Sequence, residues 1–161
     1  MAKVYLICGK ICSGKTRYAE RLRKVFPAVI LSTDEVTYDL TDNAQGDGYN
    51  AFALRVNGYL RKKAVEIVQA GANVILDWGF WTRAERQEIS DYFRILGVAY
   101  EWHYIDVSNE QWEKNIAERN RRISSGRGGS DFYVDESLRN KVLSKFEVPD
   151  RKEIDVWCQK D

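Results

Sequence analysis

Short runs of apolar residues alternate along the chain with longer segments in which apolar residues recur every three or four positions. The clearest short runs are Val4 to Cys8, Ala28 to Leu31 and Asn73 to Leu76. Largely apolar runs of this length are typical of strands that are buried on both faces of a parallel sheet. A fourth strand is predicted over Ala99 to Val107.

The longest periodic segment predicts a helix from about Tyr49 to Ala70. Gly71 follows it and is a natural helix stop. A spacing of three or four residues places side chains in one buried stripe of a helix. The stripe here consists of Phe52, Val56, Leu60, Ala64 and Ile67.

Capping signals mark the other helices. Thr82 with Glu85 has capping-box spacing, and so does Ser108 with Gln111, which places a helix start at each pair. The segment after Gly14 is also predicted to be helical. A last helix is predicted before Pro149, on Leu138, Val142 and Phe146.

Strands separated by helices predict an α/β fold, a three-layer sandwich with helices on both faces of a parallel sheet. At 161 residues the chain fits a single domain, spanning residues 1–161. Such sheets bind ligands beyond the carboxyl ends of their strands. We therefore give priority to the residues that directly follow the predicted strands.

Composition and charge narrow the possible partners. Lys and Arg number 25 against 24 Asp and Glu, so neither a general nucleic-acid affinity nor a membrane affinity is implied. No apolar stretch reaches the length of a membrane span. The cysteines, Cys8, Cys12 and Cys158, have neither zinc-ligand nor redox-motif spacing. They indicate reduced thiols and a cytoplasmic protein.

The segment that follows the first strand has the phosphate-loop pattern G-x-x-x-x-G-K-[ST]. The two glycines let the backbone N–H groups turn inwards towards phosphate oxygens at a helix N-terminus. Lys15 is expected to bridge the β- and γ-phosphates of ATP, and the Thr16 hydroxyl to bind Mg²⁺. The predicted nucleotide-binding residues are Gly9, Cys12, Ser13, Gly14, Lys15 and Thr16.

Two carboxylates follow the second and third strands. Asp34 could accept the proton of an acceptor hydroxyl, or it could merely cap a helix. Asp77 could hold Mg²⁺ or its water, or it could face the acceptor. Both would lie on the same rim of the sheet as the phosphate loop.

An arginine-rich segment at about 119–135 could close over bound nucleotide as a lid. The alternative is a solvated basic helix end. Trp78 and Trp81 lie just beyond Asp77, where an acceptor would lie. For these two residues, base stacking or contact with the acceptor is therefore an alternative to core packing. The arginines are Arg119, Arg121, Arg122 and Arg127.

This series of motifs resembles the small P-loop kinases of the zeta-toxin, polynucleotide 5′-kinase and chloramphenicol phosphotransferase type. In that group the second strand ends in S-T-D, matched by Ser32-Thr33-Asp34. The third strand ends in an aspartate that is followed by an arginine, matched by Asp77 and Arg83. An arginine-bearing lid comes next, matched by Arg119-Asn120-Arg121-Arg122.

The resemblance implies a P-loop NTPase fold of the nucleoside-kinase-like type with five parallel strands, the fifth of which would be Ile154 to Trp157. It implies an ATP-dependent phosphotransferase that acts on a hydroxyl-bearing small molecule. The expected catalytic residues are Lys15, Asp34, Arg119 and Arg122, and the expected substrate residues are Asp34, Asp77, Trp81 and Arg83. The alternatives are a polynucleotide 5′-hydroxyl kinase, which Trp78-Gly79-Phe80 after Asp77 disfavours, and a non-kinase ATP-binding regulatory module.

Overall fold

A computed structural model describes residues 1–41, 47–129 and 131–160. Strands and helices alternate along these residues. The strands are β1 (Val4–Cys8), β2 (Ala28–Leu31), β3 (Asn73–Gly79), β4 (Tyr100–Val107) and β5 (Val156–Lys160). The helices are α1 (Lys15–Val25), α2 (Thr33–Leu40), α3 (Asp47–Gln69), α4 (Arg83–Ile95), α5 (Asn109–Ser124) and α6 (Glu136–Lys145), with a 3₁₀ turn at Arg151–Glu153.

The five strands form one parallel sheet in the order β2-β3-β1-β4-β5, which confirms the predicted fold class. The phosphate-loop strand β1 is central. The nearest neighbours of β1 are β3 and β4, so the ends of β2 and β3 lie on one side of the phosphate loop. Asp34 and Asp77 follow or end those two strands.

Alternating residues of the strands pack into separate cores on the two faces of the sheet. Tyr5 and Ile7 face α1, where they meet Ala19 and Leu22. The remaining β1 residues face the opposite layer, which α3 and α4 cover. That second core contains Val4, Leu6, Cys8, Ala64, Val74, Leu76, Ile89 and Phe93 among others.

Several predicted strand boundaries were wrong. Strand β3 continues three residues past Leu76 to Gly79, and β5 begins at Val156 rather than Ile154. The end of β3 and the start of β5 contain bulky or polar residues, which interrupt the uniform apolar run expected of a buried strand. The sequence analysis also did not assign helix α2, which occupies Thr33–Leu40.

The stretch from Asp39 to Gly48 is rich in Asp, Asn and Gly, a composition typical of loops, and is only partly described. Asp39 and Leu40 belong to α2, while α3 begins at Asp47. The intervening residues 42–46 lie outside the described residues. No helix in the described part of the chain is long and apolar enough to cross a membrane.

Candidate active site

The phosphate loop joins β1 to α1 through backbone conformations that few residues adopt. Gly14 has a φ of 92° and Cys12 a φ of 60°. A Cβ atom on Gly9 would lie 2.6 Å from Ser13 Oγ and 3.3 Å from the Ile105 carbonyl oxygen. Glycine is therefore required at position 9 by close packing and at position 14 by the left-handed backbone.

Two side chains of helix α5 hold the loop in this shape. Trp112 Nε1 donates a hydrogen bond of 2.7 Å to the Ile11 carbonyl, and Asn115 Nδ2 donates one of 2.8 Å to the Cys12 carbonyl. Sequence reasoning missed both residues. The pairs are 101 and 103 positions apart, so no local pattern reveals them.

The interior of the loop contains polar groups suited to an anion. Ser13 Oγ is buried without a hydrogen-bond partner, the only such side-chain atom found among the described residues. Lys15 Nζ donates a hydrogen bond of 2.7 Å to the Lys10 carbonyl, so the ammonium lies against the loop. Burial lowers the pKa of Lys15, and the nearby Asp77 carboxylate opposes that shift. An unpartnered hydroxyl beside a buried cation fits a phosphate group.

Asp77 faces helix α1, as strand alternation requires, because Ile75 two residues earlier packs in the core on the α1 side. Thr16 Oγ1 lies 3.5 Å from Asp77 Oδ2, at the outer limit of a hydrogen bond. Burial raises the pKa of Asp77, while the Lys15 charge opposes the shift. A hydroxyl beside a carboxylate is a donor set that Mg²⁺ accepts.

Among the described residues, no three His, Cys, Asp or Glu side chains gather closely enough to enclose a metal ion. Thr16 and Asp77 therefore provide two protein oxygens. Mg²⁺ commonly completes its coordination with water and substrate phosphates, so two such ligands fit a magnesium–nucleotide complex.

Asp34 lies in the first turn of α2 but does not cap that helix. Ser32 is the N-cap, because its hydroxyl accepts a hydrogen bond of 3.3 Å from the Glu35 N–H. The Asp34 side chain is exposed to solvent, but enough protein atoms lie around its carboxylate that desolvation raises its pKa. The Lys15 and Arg119 charges oppose the shift. Asp34 is thus electrostatically linked to both the phosphate loop and the lid.

The arginines of the predicted lid segment divide into two groups. Arg119 and Arg122 line the cleft above the phosphate loop. Their guanidinium groups lie 3.7 and 3.0 Å from the two carboxylate oxygens of Asp131. Arg121 instead pairs with Glu118 at 2.6 Å on the exposed side of α5. Arg122 rather than Arg121 therefore accompanies Arg119 at the cleft.

The nucleotide cleft has a volume of about 710 Å³. Its walls come from the phosphate loop, the first turns of α1, helix α5 and the end of β5. The cationic side chains in its lining are Lys15, Arg17, Arg119, Arg122 and Lys160.

A second cavity, which we call the aromatic cavity, lies between the end of β3 and helices α3 and α4. Its volume is about 300 Å³. Trp78 and Trp81 both line it, so they do lie together beyond Asp77. The full lining is Leu54, Asn57, Gly58, Arg61, Trp78, Phe80, Trp81, Glu85, Glu88 and Ile89.

The structure does not bring Arg83 to either cavity. Its guanidinium lies 3.1 Å from Asp150 on an exposed surface. Arg86, one helical turn later, is 2% exposed and donates to the Phe80 and Glu147 carbonyls, both at 3.0 Å. Sequence reasoning missed Arg86, although its spacing from the buried Ile89 is that of one helix face.

The profile of the AAA domain family matches residues 4–149. The chain belongs to this family. No curated protein matched the sequence in a separate search.

Three solved structures resemble the chain over nearly its whole length. A candidate kinase from Chloroflexus aurantiacus has a TM-score of 0.74 at 16% identity, covering 99% of this chain and 88% of its own. The APS kinase CysC of Mycobacterium tuberculosis, solved with AMPPNP and APS, has a TM-score of 0.66 at 17% identity, with coverages of 99% and 89%. Kti12 of Chaetomium thermophilum, solved with ADP-AlF3, has a TM-score of 0.68 at 14% identity, with coverages of 98% and 88%.

At these identities the similarity establishes the fold. Together with the family match, it confirms the predicted small P-loop kinase fold.

Proposed function

We propose that this protein is an ATP-dependent kinase that transfers the γ-phosphate to a hydroxyl group of a small-molecule acceptor. The observation that carries the proposal is the placement of two carboxylates around Lys15. Asp77 pairs with Thr16, while Asp34 lies in the first turn of a different helix, directly after Thr33, which is hydrogen-bonded to a residue of the aromatic cavity. One carboxylate is therefore available for the metal and the other for the acceptor.

The phosphate loop would bind the triphosphate through its N–H groups, with Lys15 on the β- and γ-phosphates. Thr16 and Asp77 would hold Mg²⁺, which supplies charge neutralisation at the phosphate oxygens when it is bound. Arg119 and Arg122 would leave Asp131 and stabilise charge on the transferring phosphoryl group. Phosphoryl transfer depends mainly on positioning and electrostatics, and these five side chains would provide both.

Asp34 would orient the acceptor hydroxyl and receive its proton as the new oxygen–phosphorus bond forms, while the bond from the γ-phosphorus to the β–γ bridging oxygen breaks and ADP leaves. The neighbouring Thr33 is hydrogen-bonded to Asn57, a residue of the aromatic cavity. The acceptor would therefore approach from that cavity and meet the γ-phosphate at Asp34. Excluding water between the two sites would favour transfer over hydrolysis.

A screen of hydroxyl compounds with γ-labelled ATP tests the proposal. We expect Asp34→Asn to lower kcat about 10²- to 10⁴-fold with little change in ATP affinity. We expect Lys15→Ala to weaken ATP binding as well. Asp39→Asn, on the exposed part of α2, and Lys24→Ala, exposed at the end of α1, are matched controls that should leave transfer unchanged. Unchanged transfer in both site variants would refute the proposal.

A further inference from the structure

The walls of the aromatic cavity offer mainly flat apolar surface. Phe80 contacts Trp78 in a stacked arrangement, with ring centroids 5.7 Å apart, and Trp102 edge-on at 4.9 Å. Leu54 and Ile89 supply aliphatic surface from α3 and α4. A lining of this kind binds a ring or another flat apolar body through burial and stacking.

The charged groups of the cavity do not favour an anion. Arg61, Glu85 and Glu88 are the charged residues in its lining, one cation against two carboxylates. Arg61 Nη1 lies 3.1 Å from Glu88, and its guanidinium stacks on Tyr92 at 4.8 Å. The cavity therefore has no surplus positive charge to compensate a carboxylate, sulfate or phosphate on an acceptor.

Three hydrogen bonds join the cavity to the transfer site. Trp78 Nε1 donates to the Leu31 carbonyl at 2.9 Å, just before the segment that contains Asp34. The Gly9 N–H donates to the Gly79 carbonyl at 3.0 Å, which joins the cavity wall to the phosphate loop. The third bond joins Thr33 to Asn57. These bonds place the cavity wall beside both the segment that carries Asp34 and the phosphate loop.

We infer that the acceptor is a hydroxyl compound with a flat, apolar body and no negative charge, and that this body is bound in the aromatic cavity. The inference rests on the proposed kinase function and names its substrate class. It places nucleic acids and phosphorylated or sulfated metabolites outside the acceptor range, because their anionic groups would be desolvated beside Glu85 and Glu88.

The test compares neutral aryl alcohols with the same compounds bearing a ring carboxylate, for example 2-phenylethanol against 4-(2-hydroxyethyl)benzoate. Binding is followed by tryptophan fluorescence, and transfer by label from γ-labelled ATP. Wild-type protein should prefer the neutral member of each pair at least about tenfold in both measurements. Trp78→Phe and Trp81→Phe should each reduce the fluorescence change.

Glu88→Gln supplies the internal check, because it removes one carboxylate and releases Arg61. We expect the neutral-to-anionic ratio to fall several-fold in this variant. Glu66→Gln is the control: Glu66 pairs with Lys63 at 2.9 Å on α3 and does not line the cavity, so the ratio should stay unchanged.

The failure of this inference and the failure of the kinase proposal give different results. Preferred transfer to the carboxylated members would overturn the inference and leave the kinase proposal standing. Preferred transfer to a 5′-hydroxyl oligonucleotide would overturn the inference and also the small-molecule acceptor of the kinase proposal. Binding of neutral aryl alcohols without transfer of label would overturn the kinase function. The aromatic cavity would still stand as a binding site for flat apolar molecules. Absence of binding by every aryl alcohol, or an unchanged ratio in Glu88→Gln, would overturn the inference.

Discussion

At the residue scale, two adjacent residues near the end of β3 face opposite sides of the sheet and different chemical surroundings. Asp77 faces α1 and Thr16, while Trp78 faces the layer of α3 and α4. Successive strand residues point to opposite faces of the sheet, so adjacent positions face the two different proposed ligand sites. A shift of one residue in register would exchange a carboxylate and an indole between the two sites.

The charges around Asp34 predict how activity depends on pH. As the proposed base, Asp34 must be ionised, so kcat/KM for ATP should rise with pH through its pKa. Arg119 lowers that pKa and Asp131 raises it. Arg119→Ala should therefore move the acid limb of the profile to higher pH, whereas Asp131→Asn should move it to lower pH.

The position of the acid limb is the quantity to compare, because Arg119→Ala also lowers the rate itself. Asp150→Asn is the control for the loss of a carboxylate. Asp150 pairs with Arg83 outside both cavities, so this variant should leave the limb in place. Limbs that moved together, or stayed fixed in both site variants, would show that Asp34 does not set the acid limb.

The side chains that the sequence identified best are those fixed by position at a strand end. Lys15, Asp34 and Asp77 could be named because a parallel sheet collects the carboxyl ends of its strands at one rim. Arg83 was chosen by motif spacing, and the structure instead buries Arg86. Arg86 was missed because a buried guanidinium requires partners from distant segments, here Phe80, Glu147 and Glu153, that no local pattern predicts.

At the scale of elements, helix α5 has two functions along its length. Its first half holds the phosphate loop through Trp112 and Asn115, and its second half carries Arg119 and Arg122 to the cleft. A helix is rigid over this distance, so the loop and the cleft arginines are positioned by one body. Asn120 also joins α5 to the segment that follows the helix, through hydrogen bonds of 2.8 and 2.7 Å with the backbone of Val134.

Removing the Asn115 contact tests whether α5 positions the loop. Asn115→Ala leaves the Cys12 carbonyl without this donor, a loss of about 1–3 kcal/mol for a buried polar group. Part of that cost should appear as a roughly 5- to 50-fold weaker binding of a non-hydrolysable ATP analogue, measured by calorimetry. Lys114→Ala is the control, since Lys114 is 65% exposed and pairs only with Glu110 among the contacts described. Wild-type affinity in Asn115→Ala would show that the loop keeps its shape without this bond.

The elements themselves were predicted with uneven success for physical reasons. Uniform apolar runs gave β1 and β2 with correct ends. Burial on both faces explains the run of β1, whereas β2 is an edge strand that is only half-buried and owes its apolar run to packing on its inner face. The Thr82 capping box is present with both of its hydrogen bonds. Helix α2 was not predicted because it is short and has little apolar periodicity. Its N-cap, Ser32, is also the first residue of the S-T-D motif, and that motif gives no helix signal of its own.

At the scale of the whole molecule, the strand order explains why two ligands would meet at one point. Strand β3 lies between β1 and β2, so its end contacts both the phosphate loop and the segment before Asp34. The nucleotide cleft lies on the α1 and α5 side of this rim, and the aromatic cavity lies on the α3 and α4 side. The two sites meet at Gly79, whose carbonyl accepts the Gly9 N–H.

This arrangement predicts that Gly79→Ala disturbs both sites. Gly79 has a φ of 87°, and an added Cβ would lie 3.0 Å from Trp81 Nε1 and 3.4 Å from the Gly9 carbonyl oxygen. Gly71 has a similar φ of 94° at the end of α3, with no atom within 4 Å of an added Cβ. Gly71→Ala is therefore a control with the same backbone strain and no neighbour to displace.

Both alanine variants should lose about 1–2 kcal/mol of unfolding free energy, measured by urea denaturation, because L-residues are disfavoured in the left-handed region. Only Gly79→Ala should also bind the ATP analogue and the aryl alcohol more weakly. Its added Cβ presses on the Trp81 indole of the aromatic cavity, and a shift of its strained backbone would loosen the bond between the Gly79 carbonyl and the Gly9 N–H of the phosphate loop. A Gly79→Ala protein that lost stability but bound both ligands like the wild type would show that the two sites do not depend on this contact. Weaker binding of one ligand alone would show on which side of the sheet the strain is relieved.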